Sequence, residues 1–98
     1  LTLVAKNFRC RHGEIDLIMR HEKCLAFIEV RYRMRNRFST AAGSVDSRKQ
    51  NKILRTAAAY LSGHPNHAND TVRFDVVAFD FTGHGRGRIE WMQDAFRA

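Results

Sequence analysis

The sequence predicts an α/β fold: a mixed β-sheet with one flanking helix. Three observations predict it. Two runs of alternating apolar residues flank a four-residue turn, residues 47–62 carry apolar positions at helical spacing, and residues 72–79 (VRFDVVAF) are almost wholly apolar. The 98 residues suit one small domain spanning 1–98, and an apolar fraction of 44% suits a chain that folds.

Residues 2–9 read as a first strand, interrupted by Lys6 and Asn7. In residues 14–20, Ile15, Leu17 and Met19 take one face while Glu14, Asp16 and Ile18 take the other. In residues 24–31, Ala26, Ile28 and Val30 oppose Phe27, Glu29 and Arg31. A hairpin turning at His21-Glu22-Lys23-Cys24 joins the two runs, and centring it between Glu22 and Lys23 sets Asp16 opposite Glu29 and Glu14 opposite Arg31. Residues 34–44 follow as a basic loop. Ser47 is the expected helix cap, with Gln50 completing a capping box. Ile53, Leu54, Ala57, Ala58 and Leu61 form the apolar stripe, and Gly63 with Pro65 ends the helix. Residues 72–79 make a central strand. Gly83, Gly85 and Gly87 mark a turn, and residues 88–92 a last strand, followed by a helical turn through Phe96. A helix laid over one face of the sheet buries both apolar surfaces.

Charge is concentrated in one part of the chain. Residues 1–56 hold 13 Lys and Arg against 5 Asp and Glu, whereas residues 57–98 hold 4 against 5. A basic field around paired carboxylates favours a polyanion, and nucleic acid is the partner it fits best; a solvated basic surface is the plain alternative. No apolar run approaches the length of a membrane span, and the first residues do not form a signal peptide. Two cysteines make no disulfide framework, so the cytoplasm is the default compartment. The chain starts without Met, which suggests upstream residues.

Facing carboxylates at paired strand positions lie about 4.5–5.5 Å apart at Cβ and repel unless a cation separates them. Mg²⁺ or Mn²⁺ held by Asp16 and Glu29 satisfies both, with the Val30 carbonyl as a further oxygen ligand. Neutralisation by Arg31 alone is the alternative. Phosphodiester hydrolysis needs an activated water and stabilised phosphate oxygens, which a carboxylate-bound metal supplies. Arg31 is placed to grip the scissile phosphate, and Lys49 and Gln50 to reach it from the first helical turn, unless they are ordinary first-turn polar residues. Glu14 is a candidate outer ligand or partner of Arg31, and Asp75 a candidate support for a neighbouring backbone or Arg side chain. Nucleic acid is expected to bind through residues 31–37 and 48–55: Arg33, Arg35 and Arg37 form a basic rail beyond the strand, and with Lys49 and Lys52 they are the candidate contacts to the backbone. Tyr32 and Phe38 suit base stacking or rim packing. Cys10-x-His12 with His21-x-x-Cys24 is a rival, zinc-binding reading.

These residues carry a family resemblance. Asn7-Phe8-Arg9-Cys10-Arg11, Gly13-Glu14-Ile15-Asp16-Leu17-Ile18, Phe27-Ile28-Glu29-Val30-Arg31-Tyr32-Arg33, Lys49-Gln50-x-Lys52 and Arg73-Phe74-Asp75-Val76-Val77-Ala78 together resemble the YraN-like family, UPF0102. The resemblance implies a restriction-endonuclease-like fold of the PD-(D/E)xK superfamily, related to Holliday-junction resolvases, in a bacterial protein. It implies that Asp16 and Glu29 are the metal carboxylates and that Arg31 stands at the superfamily's catalytic Lys position. It also implies that the family's N-terminal helix, which carries a Glu able to complete the site, lies outside this chain. The expected function is a metal-dependent nucleic-acid phosphodiesterase acting on structured or branched DNA in preference to RNA, with a homodimer suited to a junction. The alternative is a non-catalytic nucleic-acid-binding protein that keeps the nuclease fold.

Overall fold

The computed structural model describes residues 1–34, 43, 45–81 and 87–97. It places β1 (Thr2–Cys10), β2 (Gly13–His21), β3 (Cys24–Met34), β4 (Thr71–Phe81) and β5 (Gly87–Phe96) in one sheet, in the order β1-β2-β3-β4-β5. A helix, α1 (Ser47–Ser62), lies on one face. Strands β3 and β4 are parallel, and every other pair is antiparallel. A parallel pair needs a long crossover, which α1 and the short 3₁₀ turn Pro65–His67 supply. The architecture is the mixed α/β sheet the sequence predicts. The basic loop falls mostly outside the described residues, as does most of the Gly83–Gly87 turn.

The hairpin closes at His21↔Cys24 and runs to Leu17↔Ile28, the register expected from a centre between Glu22 and Lys23. Glu22 takes the positive φ of 59° that this tight turn needs. The ladder stops one rung before Asp16 and Glu29, and the alternation of β2 breaks there. Ile15, expected on the face of Leu17 and Met19, joins Ile18 in the core under α1. β2 leaves β3 at this point and continues against β1, where Phe8 pairs with Ile15 and Arg9 with Glu14.

Phe27 sits near the middle of that core. Its ring meets Tyr60 edge-on at 6.0 Å and stacks on Phe74 at 5.5 Å. Tyr60 also meets Phe8 edge-on at 5.1 Å. The helix is therefore rotated from the expected stripe. Ile53, Thr56, Ala57 and Tyr60 are buried, Leu54 and Leu61 are half-buried, and Ala58 is exposed. Thr56 is tolerated inside because its hydroxyl donates to the Lys52 carbonyl at 2.7 Å.

Two helix-end expectations change. The cap is Asp46, not Ser47: Asp46 Oδ1 accepts from the Lys49 amide at 2.8 Å. Gln50 does not complete a capping box; its side-chain amide donates to the Val45 carbonyl at 3.0 Å. The expected helical turn before Phe96 is instead strand. Asp94 adopts φ 53° at an irregularity in β5, and beyond it Phe96 rejoins the ladder opposite Phe74, stacking on it at 5.3 Å.

The sheet face away from α1 carries Tyr32, which stacks on Phe79 at 5.3 Å and on Phe81 at 6.2 Å. Among the described residues, no helix is long and apolar enough to cross a membrane.

Candidate functional site

The break between β2 and β3 creates the candidate site. Beyond the last rung, the Val30 amide donates to Asp16 Oδ2 at 2.7 Å. Asp16 thus fills the gap with a carboxylate. Glu29 projects beside it and is only 6% exposed. Burial pushes the Glu29 carboxyl up to about 7; the neighbouring Asp16 pushes the same way, and Lys49 opposes them. Lys49 Nζ lies 3.2 Å from Glu29 Oε2, an ion pair without hydrogen-bond alignment, and that oxygen is buried with no hydrogen-bond partner.

Two cavities open nearby, one against Asp16 and one against Lys49, the ion-pair partner of Glu29. One, of about 290 Å³, is lined by Asp16 with Lys6, Asn7, Leu17, Val30 and Tyr32. The other, of about 250 Å³, is lined by Arg31, Asp46, Arg48, Lys49 and Lys52. Arg31 reaches the second because it stands two residues beyond Glu29 on β3, on the same face. The donor set fits a hard divalent cation: two adjacent carboxylates, one with an unsatisfied buried oxygen, beside positions open to water. Among the described residues, no group of three or more His, Cys, Asp or Glu gathers to hold a metal.

Several candidate residues sit elsewhere. Glu14 is paired with Arg9 at 2.9 Å, not with Arg31, because β2 has turned to β1 by that point. Gln50 is committed to Val45 rather than to the carboxylates. Arg33 is not an outward cation of a basic rail. It is 9% exposed, and its guanidinium grips Asp80 through Nε at 2.7 Å and Nη2 at 3.0 Å, with Glu90 at 3.9 Å. Arg35, Arg37 and Phe38 lie outside the described residues. Asp75 is fully buried on the face away from α1, where it accepts from Arg73 Nε, from Trp91 Nε1 at 3.0 Å and from the Asp94 amide at 2.9 Å. It anchors β5 at its irregularity. Cys10 and His12 sit at the β1–β2 turn, His21 and Cys24 at the β2–β3 turn; these are opposite ends of β2, so no four-ligand zinc site forms. Both cysteines are free thiols.

Sequence reasoning placed Arg48 inside the binding stretch 48–55 without singling it out as a lining residue. Its signal was the i, i+4 spacing to Lys52. It missed Lys6, because only the irregular path of β1 brings that residue beside Asp16.

Residues 1–79 match the uncharacterised protein family UPF0102. A UPF0102 protein of Nitrosomonas europaea is 47% identical over 96 residues, covering 98% of this chain and 78% of the relative. One from Saccharophagus degradans is 45% identical, covering 98% and 77%. One from Pseudomonas entomophila is 42% identical, covering 98% and 78%. All three are bacterial. With the family model matching residues 1–79 and relatives 42–47% identical along nearly its whole length, the chain belongs to the UPF0102 family.

Proposed function

We propose that the protein is a metal-dependent nucleic-acid phosphodiesterase whose centre is Asp16 and Glu29. The observation that carries this reading is the buried, unsatisfied Glu29 oxygen beside the Asp16 carboxylate, near a cavity lined by four cations and Asp46. Burying Glu29 against the half-buried Asp16 costs stability unless a cation compensates them, and Lys49 reaches only Glu29. Mg²⁺ or Mn²⁺, held by both carboxylates, supplies a more acidic water and a Lewis acid for the phosphate oxygens. The chain's own residues do the remainder. The Val30 amide fixes the orientation of Asp16. Arg31 offers a planar, two-pronged grip on a phosphate. Lys49 neutralises Glu29 and stands ready to release it to a cation and turn to the substrate. DNA is the favoured polynucleotide, in structured or branched form, a preference that rests on the family resemblance. A homodimer would match the symmetry of such a junction. The cytoplasm, which keeps thiols reduced, suits the free cysteines.

Arg31 favours one second reading. An Arg cannot act as a base, and it stands where the wider superfamily carries Lys, so a module that binds nucleic acid without cleaving it keeps the same surface. One experiment separates the two. Mn²⁺ and Mg²⁺ binding is followed by calorimetry and by NMR line broadening for the wild type, Asp16→Asn and Glu29→Gln. Cleavage is then assayed on junction, flap, single-stranded and duplex DNA and on RNA. Metal binding lost in both variants, with cleavage lost and fold retained, establishes the enzyme. Metal binding unchanged by both substitutions overturns the site. Tight nucleic-acid binding without cleavage by the wild type selects the binding module.

A further inference from the structure

Half of the Lys and Arg among the described residues are engaged. Arg9, Arg20, Arg33, Lys49, Arg73, Arg88 and Arg97 each have a carboxylate within 4.0 Å. Among the described residues, those without such a partner are Lys6, Arg11, Lys23, Arg31, Arg48, Lys52 and Arg55. Their distribution is uneven. Arg31, Arg48 and Lys52 line one cavity. Arg48, Lys52 and Arg55 stand at i, i+4 and i+7, all exposed, and so form one stripe along α1. Arg11 lies in the β1–β2 turn, which sits against the same stretch of helix. A Cβ on Gly13 would meet Thr56 Oγ1 at 3.3 Å and the Lys52 Cβ at 3.8 Å. Lys6 lines the neighbouring cavity with Asp16. Only Lys23, in the β2–β3 turn at the far end of the hairpin, stands apart.

Leaving like charges unpaired side by side costs stability that neutral residues would not. The arrangement is that of a surface awaiting a polyanion. The helix N-terminus itself is not the receptor, because Asp46 already accepts from the Lys49 and Gln50 amides. The receptor is the side chains. From Arg48 to Arg55 the helix rises about 10 Å, which matches about three phosphates of one strand at 3.4 Å each along a duplex axis.

We infer that one nucleic-acid strand runs from the Asp16–Glu29 break along α1, its phosphates held by Arg31, Arg48, Lys52 and Arg55 and by Arg11 of the β1–β2 turn. This track rests on the proposed polynucleotide substrate and goes further by fixing its path. It lies along the helix, not along the extension of β3, where Arg33 is already taken by Asp80. Holding the strand does not require a metal.

The test measures binding of fluorescein-labelled duplex and single-stranded DNA of mixed sequence by anisotropy, in EDTA, from 50 to 200 mM KCl. Arg48→Gln/Lys52→Gln lowers the slope of log K against log salt by about 1.4–1.8, two charges' worth, so its deficit relative to wild type shrinks about tenfold across that range. Arg11→Gln/Arg55→Gln behaves alike, and Lys23→Gln matches wild type. Circular dichroism confirms that the exposed substitutions leave the fold intact. A wild-type slope in both double variants overturns the track. So does a loss confined to Arg35→Gln/Arg37→Gln, which would put the strand on residues 35–37. Because no metal is present, the two proposals fail separately. Binding along the track with no cleavage under any condition removes the catalytic reading alone, and cleavage unimpaired by the α1 substitutions removes the track alone.

Discussion

Glu29→Gln should stabilise the protein at pH 8, and the gain should disappear as the pH falls. Glu29 is buried beside Asp16, and its carboxyl is raised from 4.5 to about 7. Between those values the folded chain holds a proton that the unfolded chain has released. Stability from this group is therefore complete below pH 4.5 and declines as pH rises toward 7. The full shift corresponds to about 3 kcal/mol, of which about 2.5 kcal/mol falls between pH 5 and pH 8. Gln keeps the shape and a hydrogen-bonding end but never ionises. It also removes the partner of Lys49. Lys49 is about a third exposed, so water replaces much of that contact, and the remaining offset is nearly constant with pH. The assay is urea unfolding of wild type and Glu29→Gln at pH 5, 6, 7 and 8, with EDTA throughout. The difference in unfolding free energy should swing toward the variant by about 2.5 kcal/mol, or roughly 10–20 °C in Tm for a domain of this size. A difference that stays flat from pH 5 to pH 8 would refute the claim that Glu29 is held partly protonated by burial and Asp16. Repeating the series with Mn²⁺ should restore wild-type stability at pH 8 and leave the variant unmoved.

Asp75→Ala should destabilise by about 3–5 kcal/mol, since Arg73 and the Trp91 and Asp94 N–H groups lose a buried acceptor; urea midpoints give the size, and Trp91 fluorescence should report the changed surroundings of β5. Arg33→Ala should cost about 3 kcal/mol by leaving Asp80 without its two-pronged partner, and Arg33→Lys should recover only part of it in the same unfolding assay. Gly13→Ala should lower stability by about 1–3 kcal/mol, because φ is 145° and the new Cβ would press on Thr56 Oγ1 at 3.3 Å; a thermal melt matching wild type would sink this account.

Local pattern fixed much of this protein. Alternation and turn chemistry give the β2–β3 hairpin and its register, since a slip of one residue would turn Ile28 and Phe27 to the wrong faces. The apolar run from Val72 marks a strand buried on both sides, and Gly63 with Pro65 marks the end of α1. That register, extended one rung, points Asp16 toward Glu29, although the ladder itself ends at Leu17↔Ile28. Tertiary structure decided the rest, because it depends on groups distant in sequence. The burial of Tyr60 and Thr56 in place of Ala58 reflects where Phe8 and Phe27 stand under the helix. Phe96 stays in a strand because Asp75 captures the Asp94 amide nineteen residues away. Arg33 reads as one of a row of exposed cations, and only the arrival of β4 and β5 supplies the Asp80 and Glu90 that take it inside. Alternation along β2 could not foretell its departure from β3 after Leu17, since the cause is a cross-strand bond, Val30 N–H to Asp16, that period-two reasoning assigns to the backbone. That bond sets Asp16 in the gap, beside a Glu29 left with one oxygen unsatisfied.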